Sequence, residues 1–281
     1  MQTTRCGACG TRYETPRPSR CRACGKRLGG DTRWILLAVV ATLIGAAAFA
    51  AYLGPYRERA RVADARLRLE AVRRSVDWVY SPVAGVRFTR SEVTLEQYRR
   101  CVEIGPCAPL IYDTDTSKLR RKLGGSKEVC MWRLADLWKS QASAEAYAVN
   151  CVTWDEAGAY CAWIGGRLPT SDEWYAEASN GGARVYPWGD DPAGCGTVAS
   201  AECQGFRAVC SFATGNSVSG LCDMAGSLAE WTADTKDTQQ RIVRGRARGY
   251  EGVHQILTEI DHRYRGGRFD DVGFRCAKEN E

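Results

Sequence analysis

A body of short helices and much irregular chain, held behind a membrane-length apolar segment and a small metal ribbon, is what this 281-residue sequence predicts. Three observations lead there. Between Asn150 and Trp174 lie two helix starts with a glycine stop between them, while little of residues 84–276 alternates as strands do. Residues 34–53 carry no charge. The 14 cysteines form two sets, four before residue 25 and ten after residue 100, and the apolar segment separates them.

The first set reads Cys-Gly-Ala-Cys-Gly at 6–10 and Cys-Arg-Ala-Cys-Gly at 21–25, two C-x2-C knuckles. Each knuckle places two thiolates on one tight turn. Cys6, Cys9, Cys21 and Cys24 together predict a closed, structural zinc site with four bonds of ~2.3 Å. Residues 1–30 are too short to fold on apolar burial alone, so metal supplies most of their stability. Two redox pairs are the rival reading, but no βαβ pattern surrounds them. The segment resembles the short zinc ribbons at the start of many bacterial membrane proteins.

Residues 34–53 as a helix span the ~30 Å of a bilayer's hydrocarbon, with Trp34 and Tyr52 where interfacial aromatics belong. A cleaved signal peptide is disfavoured, because a metal motif precedes the run and the run is too long; a buried core helix is the other alternative. Residues 1–33 hold eight Lys or Arg against two acids, which accounts for the whole chain's +6. The excess lies beside the membrane segment and speaks for topology, not nucleic acid. Six basic residues between 17 and 33 face five between 57 and 68, so charge leaves orientation open. The cysteines decide it. Zinc-bound thiolates need a reducing side, and ten dispersed cysteines suit disulfides on an oxidising one; buried free thiols are the plainer reading of those ten. The N-terminus is therefore expected in the cytoplasm and the C-terminal domain in the periplasm or outside the cell.

Residues 55–80 are expected as a charged helical stalk. Val62, Ala65, Leu69, Val72 and Val76 repeat at coiled-coil spacing over about two heptads, which suits a homodimer or a stalk packed on its own domain. The body, 81–281, contains the clearest local signals. Thr153 with Glu156 and Thr170 with Glu173 are capping boxes. Ala157, Tyr160, Cys161 and Ile164 mark one buried helix face, and Gly165-Gly166 ends that helix. Residues 108–149 read as a variable loop, and 180–222 are rich in turn signals.

This body resembles the sulfatase-modifying factor family, whose name-giving members are formylglycine-generating enzymes. The resemblance rests on Asn-Cys-Val-Thr-Trp at 150–154, Ala-Tyr-Cys-Ala-Trp at 159–163 and Gly-Arg-Leu-Pro-Thr at 166–170 before Glu173-Trp174. It continues through Tyr-Pro-Trp-Gly-Asp at 186–190, Asp-Met-Ala-Gly at 223–226, Glu230-Trp231, Arg244-Gly245 and Gly-Phe-Arg-Cys at 273–276, all in the family's order. It implies an α+β, C-type-lectin-like fold rich in irregular structure and a disulfide between Cys161 and Cys276. The family's usual early Gly-x-Phe-x-Met-Gly strand is replaced by Pro82 to Phe88.

The resemblance also implies a copper site of two cysteines flanking an aromatic-basic run, which here is His262-Arg263-Tyr264-Arg265. Asp261 and Gly266 stand where those cysteines belong, and soft Cu(I) needs both sulfurs. Copper is therefore not expected, and neither is formylglycine-generating activity. The family's iron branch needs several histidines; this chain has two, His254 and His262, whose spacing with Asp261 or Asp270 gives no support. No Gly-x-Ser-x-Gly elbow is present. Calcium is expected around Asn216, Asp223, Ser227 and Glu230, where family members hold it, unless Asp223 only caps a turn. Arg244, His262, Arg263, Tyr264 and Arg265 are the expected lining of a groove for an acidic or peptidic ligand, unless the arginines pair with the domain's own acids. The expectation is a non-catalytic, membrane-anchored binding or signalling module. A metal-dependent oxidase with a non-standard site and a structural cell-envelope adaptor are the alternatives.

Overall fold

The computed structural model describes residues 3–14, 20–26, 32–110, 146–191, 194, 207–245, 257–258 and 260–280. Most of the expected loop at 108–149 lies outside them, as do Cys130, Cys195, Cys203 and His254. The chain divides into two compact units, Met1–Asp64 and Ala65–Glu281.

In the first unit, β1 (Thr3–Arg5) and β2 (Arg12–Glu14) form an antiparallel hairpin with Thr4 opposite Tyr13. Helix α1 (Thr32–Ser75) follows. Its apolar stretch is exposed, and by length and composition it is sufficient to cross a membrane. The helix continues through Pro55, so the expected span and stalk are one element.

The last turns of α1 belong to the second unit. Val72 is buried, and Leu69 and Val76 pack beside it on the main core. Arg73 Nε donates to the Trp163 carbonyl at 3.0 Å. Three of the five expected coiled-coil positions are thus covered by the chain's own domain. Just before Ser81, β3 (Trp78–Tyr80) pairs with β4 (Val86–Thr89), which pairs with β9 (Ala277–Glu279). The first and last strands of the domain share one sheet.

Three capped helices follow from local sequence. Thr94 with Gln97 opens α2 (Leu95–Ile104), Thr153 with Glu156 opens α3 (Trp154–Trp163), and Thr170 with Glu173 opens α4 (Ser171–Ala178). Each threonine satisfies a backbone amide that has no partner inside the helix. Gly165, at φ +92°, takes the left-handed turn that stops α3.

A second sheet has the order β7 (Asp261–Tyr264), β6 (Gln240–Arg244), β5 (Ala229–Thr235), β8 (Val272–Gly273), with β8 parallel to β5. At Gly273 a side chain would press 2.7 Å from Leu228 Cδ1 and 2.8 Å from the Val149 carbonyl, so only glycine lets these strands meet. The main core gathers Tyr98, Tyr160, Trp231, Val243 and Phe274; a second packs Phe88 with Trp174, Leu221 and Met224. Cys161 bonds Cys276 as the family resemblance implies, and Cys101–Cys107 and Cys210–Cys222 are further disulfides.

Candidate functional site

Strand β7 carries the aromatic-basic run, and most of its charges are already engaged. Asp261 accepts from the His262 amide at 2.6 Å and from Arg263. Arg263 also reaches Asp271 Oδ2 at 3.3 Å and lies over the Phe269 ring. Arg265 pairs with Asp155 at the start of α3 and lies over the Trp154 ring, as does Arg241. Arg268 pairs with Glu156 and donates to the Cys151 carbonyl at 2.9 Å. The guanidinium groups thus tie the turn after β7 to the N-terminus of α3, where carboxylates are favoured by the helix dipole.

Arg244 does not join them. It sits at the far end of β6, buried over the Tyr175 ring, with Nε donating to Ser171 Oγ at 2.7 Å and Nη1 to the Leu257 carbonyl at 3.3 Å. The arginines expected to line a groove thus have partners within the domain, the alternative that the sequence left open. Arg263 and Arg265 hold carboxylates of their own domain, Arg244 packs from β6 against α4, and Tyr264 remains exposed with His262 half-buried. At Gly266 any side chain would meet the Tyr264 ring at 2.9 Å, so a cysteine there requires that ring to move.

The donor set for copper does not fit. No cysteine lies between Cys222 and Cys276. Among the described residues, every cysteine after α1 is disulfide-bonded: Cys101, Cys107, Cys151, Cys161, Cys210, Cys222 and Cys276. No free sulfur is available there to a soft metal.

The oxygens expected to hold calcium have partners within the protein. Glu230 forms a two-pronged pair with Arg275, both bonds 2.7 Å and both residues fully buried, and accepts from Trp174 Nε1 at 3.0 Å. Ser227 donates to Glu92 Oε2 at 2.9 Å. Asp223 accepts from the Cys210 amide at 2.6 Å. Asn216 Oδ1 is buried without a partner, but a hard cation needs six or more oxygens. Instead, three carboxylates, Glu92, Asp223 and Glu230, surround the Arg275 guanidinium. Burial first, then the charges of Asp223 and Glu230, holds the Glu92 carboxyl well above the usual carboxylate range. Burial raises Asp223 as well. The sequence reading assigned Arg275 and Glu92 no role. Their partners lie 45 and 135 residues away, so no local pattern announces them.

The four N-terminal cysteines do converge. The sulfurs of Cys6, Cys9, Cys21 and Cys24 lie within 4.8 Å of one another, and among the described residues no other group of Cys, His, Asp or Glu offers a metal such a cluster. Cys6 and Cys21 are buried, Cys9 and Cys24 exposed. The donor set fits a tetrahedral soft-to-borderline cation.

Residues 80–280 match the family model of the Sulfatase-modifying factor enzyme 1-like domain. The chain is 30% identical over 232 residues to "Inactive C-alpha-formylglycine-generating enzyme 2" of Bos taurus, covering 70% of this chain and 74% of that one. It is 35% identical over 147 residues to the protein of that name from Mus musculus, spanning 45% of this chain and about half (47%) of the relative. The fold is shared with the structure of PvdO from Pseudomonas aeruginosa at a TM-score of 0.50 and 18% identity, over 69% of this chain and 80% of the other. With the family model covering residues 80–280, well over half of the chain, the chain belongs to the sulfatase-modifying factor enzyme 1-like family.

Proposed function

We propose that this chain is a single-pass membrane protein whose family domain is a non-catalytic binding or signalling module on the oxidising side, with a zinc ribbon on the cytoplasmic side. The observation that carries the reading is the distribution of thiols. Among the described residues the free cysteines are Cys6, Cys9, Cys21 and Cys24, and those after α1 are oxidised. That split across an apolar helix matches a reducing and an oxidising compartment. The relatives from Bos taurus and Mus musculus named inactive support the non-catalytic half of the reading. The four thiolates would hold zinc and supply folding energy to the hairpin, with no reaction at the closed site. An extracytoplasmic ligand approaching β7 would meet the exposed Tyr264, since Arg263, the arginine of that strand, is paired with Asp261 and Asp271.

The test is direct. The disulfide-intact chain is incubated with Cu(I), oxygen and a cysteine-containing peptide. Expected are zinc at one per chain, no copper retained by the family domain, and a peptide mass that does not change. One copper per chain held outside residues 1–30, with oxygen-dependent loss of the peptide thiol, would overturn the non-catalytic assignment.

A further inference from the structure

We propose that Tyr13 is a positioning residue for the metal of the ribbon. It donates its hydroxyl hydrogen to the Cys21 thiolate, and so decides which sulfurs of the centre remain open to attack. The proposal rests on the zinc reading above.

The geometry is specific. Tyr13 Oη lies 2.8 Å from Cys21 Sγ. The Arg22 amide donates to the same oxygen, also at 2.8 Å. Because that amide occupies a lone pair, the hydroxyl hydrogen points away from it, toward the sulfur. A metal-bound thiolate can only accept. Tyr13 is fixed by β2, where it stands opposite Thr4 of β1, and its ring packs on Cys6 and Cys21. These contacts hold the oxygen in place in the folded ribbon.

The chemistry follows from charge. Four thiolates around a divalent ion carry a net double negative charge, and each hydrogen donated to a sulfur disperses part of it. A sulfur that accepts such a bond is a poorer nucleophile and is held in one orientation. Thr11 Oγ1 stands 3.1 Å from Cys9 Sγ, but at an exposed position. Cys21 is 2% exposed and hydrogen-bonded by Tyr13, and Cys6 is as deeply buried beneath the same ring, whereas Cys9 and Cys24 face solvent. The centre therefore has a sealed side, Cys6 and Cys21, and an open side, Cys9 and Cys24.

The full chain in detergent, loaded with zinc or cobalt, tests this without reference to any activity. In the wild type, iodoacetamide with mass-spectrometric mapping is expected to modify Cys9 and Cys24 before Cys6 and Cys21. Tyr13→Phe, which removes one oxygen, is expected to weaken zinc retention against a chelator by about 10-fold or more. It should also move the cobalt sulfur-to-metal band to lower energy and bring Cys21 forward in the order of alkylation. A tetrahedral cobalt spectrum in the variant shows that the site still forms. An unchanged band, release rate and alkylation order would overturn the role of Tyr13 while leaving the zinc site standing. A wild-type chain that binds cobalt without any thiolate band would overturn both.

Discussion

At the scale of single residues, the most consequential feature is an excess of buried acid. Arg275 is one guanidinium facing Glu92, Asp223 and Glu230, and only Glu230 is paired with it through two bonds. Removing one member of a buried, hydrogen-bonded pair costs about 3–5 kcal/mol, so Arg275 cannot be truncated lightly. Glu92 differs, since its oxygens are served by Ser227 Oγ and the Leu228 amide rather than by a cation. Its carboxyl is raised on folding, so folding favours the protonated form. The sign follows from linkage. The contribution is fully present below the unfolded-state carboxylate range and is lost as pH rises through the raised folded value. Glu92→Gln keeps the shape and never ionises: its carbonyl oxygen still accepts from the Leu228 amide, while its NH2 group donates to Ser227 Oγ, reversing that bond. At pH 7–8 it is expected to melt above the wild type, by about 1.4 kcal/mol for each unit by which the carboxyl is raised, and the gap should close near pH 4. A variant that melts below the wild type across that whole range would refute the assignment; paired melting curves at several pH values are the measurement.

At the scale of elements, the capped helices were legible because each signal is contained in four residues. Thr153 and Glu156, or Thr170 and Glu173, need only each other. The arginines were not legible in the same way. The sequence gives the positions of Arg265 and Asp155 but not that a turn brings them together across 110 residues. Helix α1 shows the same limit. Its heptad spacing is equally suited to a partner helix or to the domain's own core, and the structure covers Leu69, Val72 and Val76 while leaving Val62 exposed. The two uses predict different mutational outcomes. A charge at Val72 enters a packed interior and is expected to destabilise the domain by about 3 kcal/mol or more, whereas Val62→Asp should stay within about 0.5 kcal/mol. A two-stranded coil would make both substitutions costly and melting dependent on protein concentration. Thermal melts of the two variants at two concentrations separate these uses.

At the scale of the molecule, the proposed zinc ribbon and the disulfides would stabilise two units by independent means. The ribbon of the first unit is too small for a core, so on the zinc reading proposed above it would depend on metal. In the second unit, Cys161–Cys276 closes a loop with a sequence separation of 115 and ties α3 to the segment that leads into β9. Constraining a loop of that length in the unfolded chain is worth about 4–5 kcal/mol, a large share of the stability of an ordinary domain. The pair also lies in the main core beside Tyr160 and Phe274, so its loss is felt where the two sheets and α3 meet. The stabilising agents can therefore be removed one at a time. A zinc chelator is expected to abolish the hairpin of residues 3–26 without moving the melting temperature of the family domain. Reductant is expected to lower that temperature steeply while the thiolate ribbon keeps its metal. Replacing Cys161 and Cys276 together by alanine should reproduce most of the effect of reductant. Calorimetry of the full chain under the two treatments distinguishes this from a single cooperative fold, in which either treatment would melt both units together.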